Sequence, residues 1–241
     1  MIIKRNMERR KKVVFNIVLF LLTVSIFYAI YMLFQAPGGP ADNEAERVKS
    51  DYVLMLLQCI FGVVVMFVPR RVEDHFEVDI PNLIEIIYIL FLFSAIFLGE
   101  VLNFYFRFSN FDNVLHFFSA GMLSVVGFIL VDFLTGIEKL NLRLSPFFVS
   151  FFAFCFSITA GVVWEIYEFL ADGMLGTNMQ KFITTHGEVL VGREALNDTM
   201  VDFIVNTLGS LLVVTLGYFY LRRKRKEELG KETKSVKELN K

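Results

Sequence analysis

Trp164-Glu165-Ile166-Tyr167-Glu168-Phe169-Leu170-Ala171-Asp172 closes an apolar run that opens at Phe147. With the run before it, the stretch is long enough to cross a bilayer, whose hydrocarbon core takes about 20 helical residues. Glu165, Glu168 and Asp172 stand at i, i+3 and i+7, so a helix places them on one face. Gly161 shares that face and leaves room beside it. A carboxylate inside a membrane helix costs at least about 2.5 kcal/mol unless a partner or water meets it. The rest of the chain offers partners. Asp112 and His116 open another apolar run, and Asp198, Asp202 and Asn206 open the last one.

Composition agrees with a membrane protein. Of 241 residues 55% are hydrophobic, 28 are Phe, and the mean hydropathy is +0.56, more apolar side chain than a soluble domain of this length carries. The net charge of −1 gives no global field for a nucleic-acid partner. Cys59 and Cys155 both lie inside apolar runs and are expected as free, buried, small hydrophobic side chains.

In order, residues 1–12 form a basic cytoplasmic segment, and residues 13–221 hold six spans: 13–34, 52–68, 82–98, 111–134, 146–172 and 199–221. Pro69 ends the second span and a charged loop, 70–80, follows it. Pro81 and Pro146 suit the first turns of the third and fifth spans. Residues 100–110 are aromatic and irregular, as at a headgroup boundary. Residues 173–197 form the longest loop between spans. Residues 222–241 are a charged cytoplasmic tail, helical or disordered. The fold class is therefore all-α, a polytopic integral membrane helical bundle of about six transmembrane helices.

With six spans, the N-terminal cap, Arg70-Arg71, Lys139/Arg143 and the basic tail fall on one side. The positive-inside rule then puts both termini in the cytoplasm. That orientation gathers Asp112, His116, Glu165, Glu168, Asp172, Asp198 and Asp202 at one outer depth. Asp112/His116 and Asp198/Asp202/Asn206 are spaced by four, so each set shares a helix face.

Carboxylates and an imidazole from several helices are what a divalent metal site in a bundle requires, and equally what acid–base catalysis or a proton relay requires. The candidate catalytic residues are His116, Glu165, Glu168 and Asp202. The candidate metal ligands are Asp112, His116, Glu165, Glu168, Asp198 and Asp202, and a divalent ion is the cofactor they imply. Plainer roles exist for each. Asp112 and Asp198 suit helix caps. Asp172, before Gly173, suits a wetted loop position, and His186 a solvated one. His116, Glu165, Glu168 and Asp202 suit a polar knot that shares protons or takes Arg193 as counter-ion.

The segments Phe111-Asp112-Asn113-Val114-Leu115-His116-Phe117-Phe118, Trp164-Glu165-Ile166-Tyr167-Glu168-Phe169 and Asp198-Thr199-Met200-Val201-Asp202, followed by Leu208-Gly209-Ser210-Leu211, resemble the YjdF-type bacterial inner-membrane family. More loosely they resemble the VanZ-like proteins associated with glycopeptide resistance. The resemblance implies a multi-pass protein of the bacterial plasma (inner) membrane with these acids and the His as its signature. It brings no reaction with it. The chain departs from the YjdF pattern where a short Gly-Thr-Gln-Gly-type turn precedes the Asp-Thr pair: here residues 179–197 separate Gly176-Thr177-Asn178 from Asp198-Thr199. Three function classes follow: an enzyme acting at the outer leaflet on a lipid or cell-envelope precursor, an ion-coupled transporter, and a non-catalytic envelope-stress protein whose polar cluster is structural. Membrane lipid is the expected partner, with a lipid-linked or envelope substrate under the first reading, and nucleic acid is not.

Overall fold

Among the described residues of the computed structural model, six helices are long and apolar enough to cross a membrane: residues 6–35, 49–76, 82–101, 111–135, 146–175 and 197–231. The structure describes residues 2–38, 47–76, 80–108, 110–136, 144–184 and 187–239, with side chains described between residues 6 and 231. The expectations for Lys139, Arg143 and His186 lie outside the described residues.

In order the helices are α1 (Ile2–Gln35), α2 (Lys49–Val65), α3 (Val68–Phe76), α4 (Asn82–Leu92), a π-helical stretch (Phe93–Val101), α5 (Phe104–Arg107), α6 (Phe111–Gly136), α7 (Pro146–Leu175) and α8 (Asn197–Leu239). The basic N-terminal segment is part of α1. The charged tail continues α8 rather than leaving it. Residues 68–76, expected within a span end and a loop, form a helix instead. Pro69 explains both halves of that difference: it stops α2 and is tolerated in the first turn of a new helix.

α7 and α8 are inverted relative to soluble helices. Along α7 the buried positions are Ser150, Ala153, Ser157, Gly161, Glu165, Glu168, Ala171 and Asp172, whereas Val163, Trp164, Ile166, Phe169 and Leu170 are exposed. On α8 the buried stripe is Asp202, Asn206, Ser210 and Val214, and Ile204, Leu208 and Leu212 face out. Polar groups gather where partners can satisfy them and apolar groups meet lipid, which backbone and side-chain desolvation in hydrocarbon demands.

The chain forms two compact units, and the division falls within α6, α7 and at the start of α8. The first comprises residues 1–115 and 168–198. Its apolar core is drawn from α1, α2, α4 and the π-helical stretch, around Leu22, Met55, Cys59, Ile89 and Ile96. The π-helical turns end where the Arg47 guanidinium donates to the carbonyls of Glu100 (2.5 Å) and Val101 (3.4 Å), the former also accepting from the Asn103 amide. Tyr105 packs over Gly99, where a Cβ would stand 2.4 Å from its ring, and donates its hydroxyl to the Ala95 carbonyl at 2.9 Å.

The second unit comprises residues 116–167 and 199–241. Small residues bring its three helices close. A Cβ on Gly209 would lie 2.2 Å from the Phe117 carbonyl oxygen, and one on Gly127 2.8 Å from the Ala153 Cα. Ser157 donates to the Ala120 carbonyl at 2.8 Å, and the Ser124 and Ser210 hydroxyls share a bond of 2.9 Å. Close backbones and interhelical hydroxyl bonds are the means by which helices associate in lipid, where no hydrophobic drive separates helix from solvent.

Both cysteines are free thiols, as expected. Cys59 is fully buried. Cys155 is not, contrary to expectation: it lies on the exposed face of α7, since an apolar run does not tell lipid-facing from buried positions.

Candidate functional site

In the second unit, His116 of α6 is the centre of a buried group. Its Nδ1 lies 3.8 Å from Glu165 Oε1 on α7, and its Nε2 lies 4.0 Å from Asp202 Oδ1 on α8. The exposures of His116, Glu165 and Asp202 are 6%, 3% and 0%. Asn206, one turn beyond Asp202, places its amide nitrogen 3.3 Å from His116 Nδ1. With that nitrogen donating, Nδ1 accepts, and the neutral ring carries its proton on Nε2, toward Asp202. Gly161 makes this possible. A Cβ there would stand 3.0 Å from the Asn206 amide nitrogen, so the room on the Glu165 face of α7 is filled by the amide that orients the imidazole.

The acids approach opposite nitrogens of one ring. A carboxylate, an imidazole and a second carboxylate in that order are the parts of a proton path, the imidazole accepting on one nitrogen as it gives from the other.

In the first unit, Asp112 and Asp198 are brought together by a residue not singled out from the sequence. The Lys181 ammonium donates to Asp112 Oδ2 at 2.5 Å and to Asp198 Oδ1 at 2.9 Å. Burial alone would weaken the ammonium's hold on its proton, but the Asp112 and Asp198 charges and their hydrogen bonds outweigh that and hold the Lys181 pKa above its usual value. Asp112 and Asp198 are thus more than caps, and Lys181 is their cation. Arg193, expected as counter-ion to the His116, Glu165, Glu168 and Asp202 group, is exposed.

Asp172 builds the loop that presents this lysine. Its Oδ1 accepts from the Thr177 hydroxyl (2.6 Å) and the Met179 amide (2.7 Å), and its Oδ2 from the Gln180 amide (2.9 Å). It is buried at 8% exposure rather than wetted. Asn178 then clamps Ile183 through both its amide and its carbonyl, and a single bridge pairs Ile183 with Val189. Glu168 is buried in the same unit. Burial first, then the charges of Asp112, Glu100 and Glu168, keep the Tyr105 phenol protonated well above its usual pKa.

Lys181 was visible in the sequence only as one of few basic residues on its side of the membrane. Its backbone, at φ +48°, is left-handed, which no residue pattern announces for a lysine. Tyr105 was visible only as part of an aromatic segment.

The model of the family described as Predicted membrane protein (DUF2238) matches residues 17–223, and the chain belongs to that family. A protein of Thermotoga maritima described as uncharacterized is 30% identical over 134 residues, covering 54% of this chain. The chain spans 60% of that relative's length. No solved structure matches.

Proposed function

We propose that this integral membrane protein performs acid–base chemistry at His116, with Glu165 and Asp202 as the groups between which the imidazole moves a proton. The observation that carries the reading is the pair of buried carboxylates facing opposite ring nitrogens, at 3.8 Å and 4.0 Å. Three groups in that order can take a proton from one side of a reacting bond and return one to the other, the work of a general base and general acid. Asn206 and Gly161 position the ring and take no part in the transfer. The Asp112–Lys181–Asp198 group and Glu168 belong to the same end of α6, α7 and α8 by their place in the chain. Lys181 supplies positive charge to Asp112 and Asp198 there.

The excess of Lys and Arg on the side of both termini supports a placement of this end of the helices at the outer face of a bacterial plasma membrane, with both termini cytoplasmic. The substrate class is accordingly a membrane lipid or a lipid-linked envelope precursor. The resemblance to YjdF-type proteins fits that placement, and the looser likeness to VanZ-like proteins fits an envelope substrate. Comparing lipids by mass spectrometry in cells making wild-type protein and the folded Asp202→Asn variant tests the proposal. Accumulation of one lipid or lipid-linked species in the variant is the expected result. Identical lipids, with the wild type demonstrably folded and inserted, would overturn it.

The complete burial of Asp202 favours a second reading, a polar knot that locks α6, α7 and α8. Under it Asp202→Asn would lower the melting temperature and leave every lipid unchanged.

A further inference from the structure

The first unit holds a cavity of about 450 Å³ between α1 and the start of α4, far along the chain from the acidic group. Arg9 and Arg10 line it together with Met7, Val13, Val14, Leu83 and Ile86. Cationic groups and apolar groups thus share one recess, and the sequence orders them: the arginines come one turn before the valines on α1, where the helix passes from its basic segment into its apolar one.

The local ion pairs leave the two arginines as the working charges. Glu85, buried in the first turn of α4 and adjacent in sequence to Ile86, would repel an anion here. Lys11 removes that obstacle, since its ammonium is bonded to the Glu85 carboxylate. Lys12 is paired with Glu8 at 2.8 Å on an exposed face. Among the described residues neither Arg9 nor Arg10 pairs with a carboxylate. Both are exposed, their guanidinium groups free to turn toward a ligand.

We infer that this recess is a binding site for an anionic phospholipid, whose phosphate sits on Arg9 and Arg10 and whose acyl chains run along Val13, Val14, Leu83 and Ile86. Charge complementarity selects the occupant. Arginine forks match phosphate oxygens in bidentate geometry, and a recess apolar beyond its cationic rim holds a chain that a water-soluble phosphate does not have. Basic residues at a membrane surface each strengthen binding to anionic lipid, and here two act on one headgroup.

The test uses purified full-length protein in detergent, titrated separately with phosphatidylglycerol, phosphatidylcholine and glycerol 3-phosphate, with bound molecules counted by native mass spectrometry. Micelles have no sidedness, so the outcome does not depend on the proposed orientation. Phosphatidylglycerol is expected to bind in preference to phosphatidylcholine, and glycerol 3-phosphate not to compete with it. The Arg9→Gln/Arg10→Gln variant should weaken phosphatidylglycerol binding roughly thirtyfold. Leu83→Trp, which fills the apolar wall and leaves the charge intact, should weaken it as well. Lys12→Gln, an equal class of charge loss off the recess, should leave it unchanged. Equal binding by wild type and the double arginine variant would overturn the assignment. So would a loss in Lys12→Gln as large as in that variant, or glycerol 3-phosphate binding as tightly as the lipid.

Discussion

Lys181 carries two costs, a left-handed backbone of about 1–3 kcal/mol and a largely buried ammonium. Two charge-assisted hydrogen bonds offset them. Because its folded pKa is raised, its contribution is fully present below the unfolded value of about 10.4 and is lost only as pH climbs through the higher folded one. Lys181→Met removes the ammonium that bridges Asp112 and Asp198. A loss of roughly 2–3 kcal/mol is expected, less than full burial would give, because 25% of the lysine side chain still meets solvent. Limited proteolysis within residues 187–196 should become faster, and Asp112→Asn in the same background should restore part of the protection. Unchanged protection in Lys181→Met would contradict the clamp. Gly161→Ala is a second residue-scale test. The new methyl would press on the Asn206 amide at 3.0 Å, and a melting-temperature loss equivalent to about 1–2 kcal/mol is expected.

At the scale of elements, α6, α7 and α8 work because small residues face one another where the polar stripes run. Gly209→Ala cannot be accommodated by a rotamer, since the contact at 2.2 Å is to backbone. It should cost at least about 3 kcal/mol, visible as loss of monodisperse protein in detergent. Gly173→Ala, with nothing within 4 Å, serves as the tolerated control. The six long helices were legible in the sequence because each is an apolar run of spanning length. The stripe Glu165-Glu168-Asp172 was legible because helical spacing alone puts it on one face. Residues 68–76 were misread because a charged segment after Pro69 reads equally as loop and as short helix. The π-helical stretch has no periodicity that distinguishes Phe93–Val101 from ordinary α-helix. The role of Lys181 was not legible because nothing local in sequence links it to Asp112, 69 residues away. The position depends on the turn that Asp172 organises.

For the whole molecule, the proposed topology places residues 176–196 outside the cell and α8's end inside. A cysteine at Glu188 should react with a membrane-impermeant maleimide in intact cells, and one at Lys231 only after lysis, in a background without Cys59 and Cys155. The reverse pattern would turn the molecule over and move the acid–base site to the cytoplasmic face. The triad itself is tested most directly by nitrogen-15 spectroscopy of His116, in protein carrying His75→Gln and His186→Gln so that one imidazole remains. A neutral ring protonated on Nε2 is the expected state. Its Nε2 resonance should move in Asp202→Asn and its Nδ1 resonance in Glu165→Gln, each variant acting on its own side of the ring. Resonances that ignore both substitutions would contradict a proton path through His116.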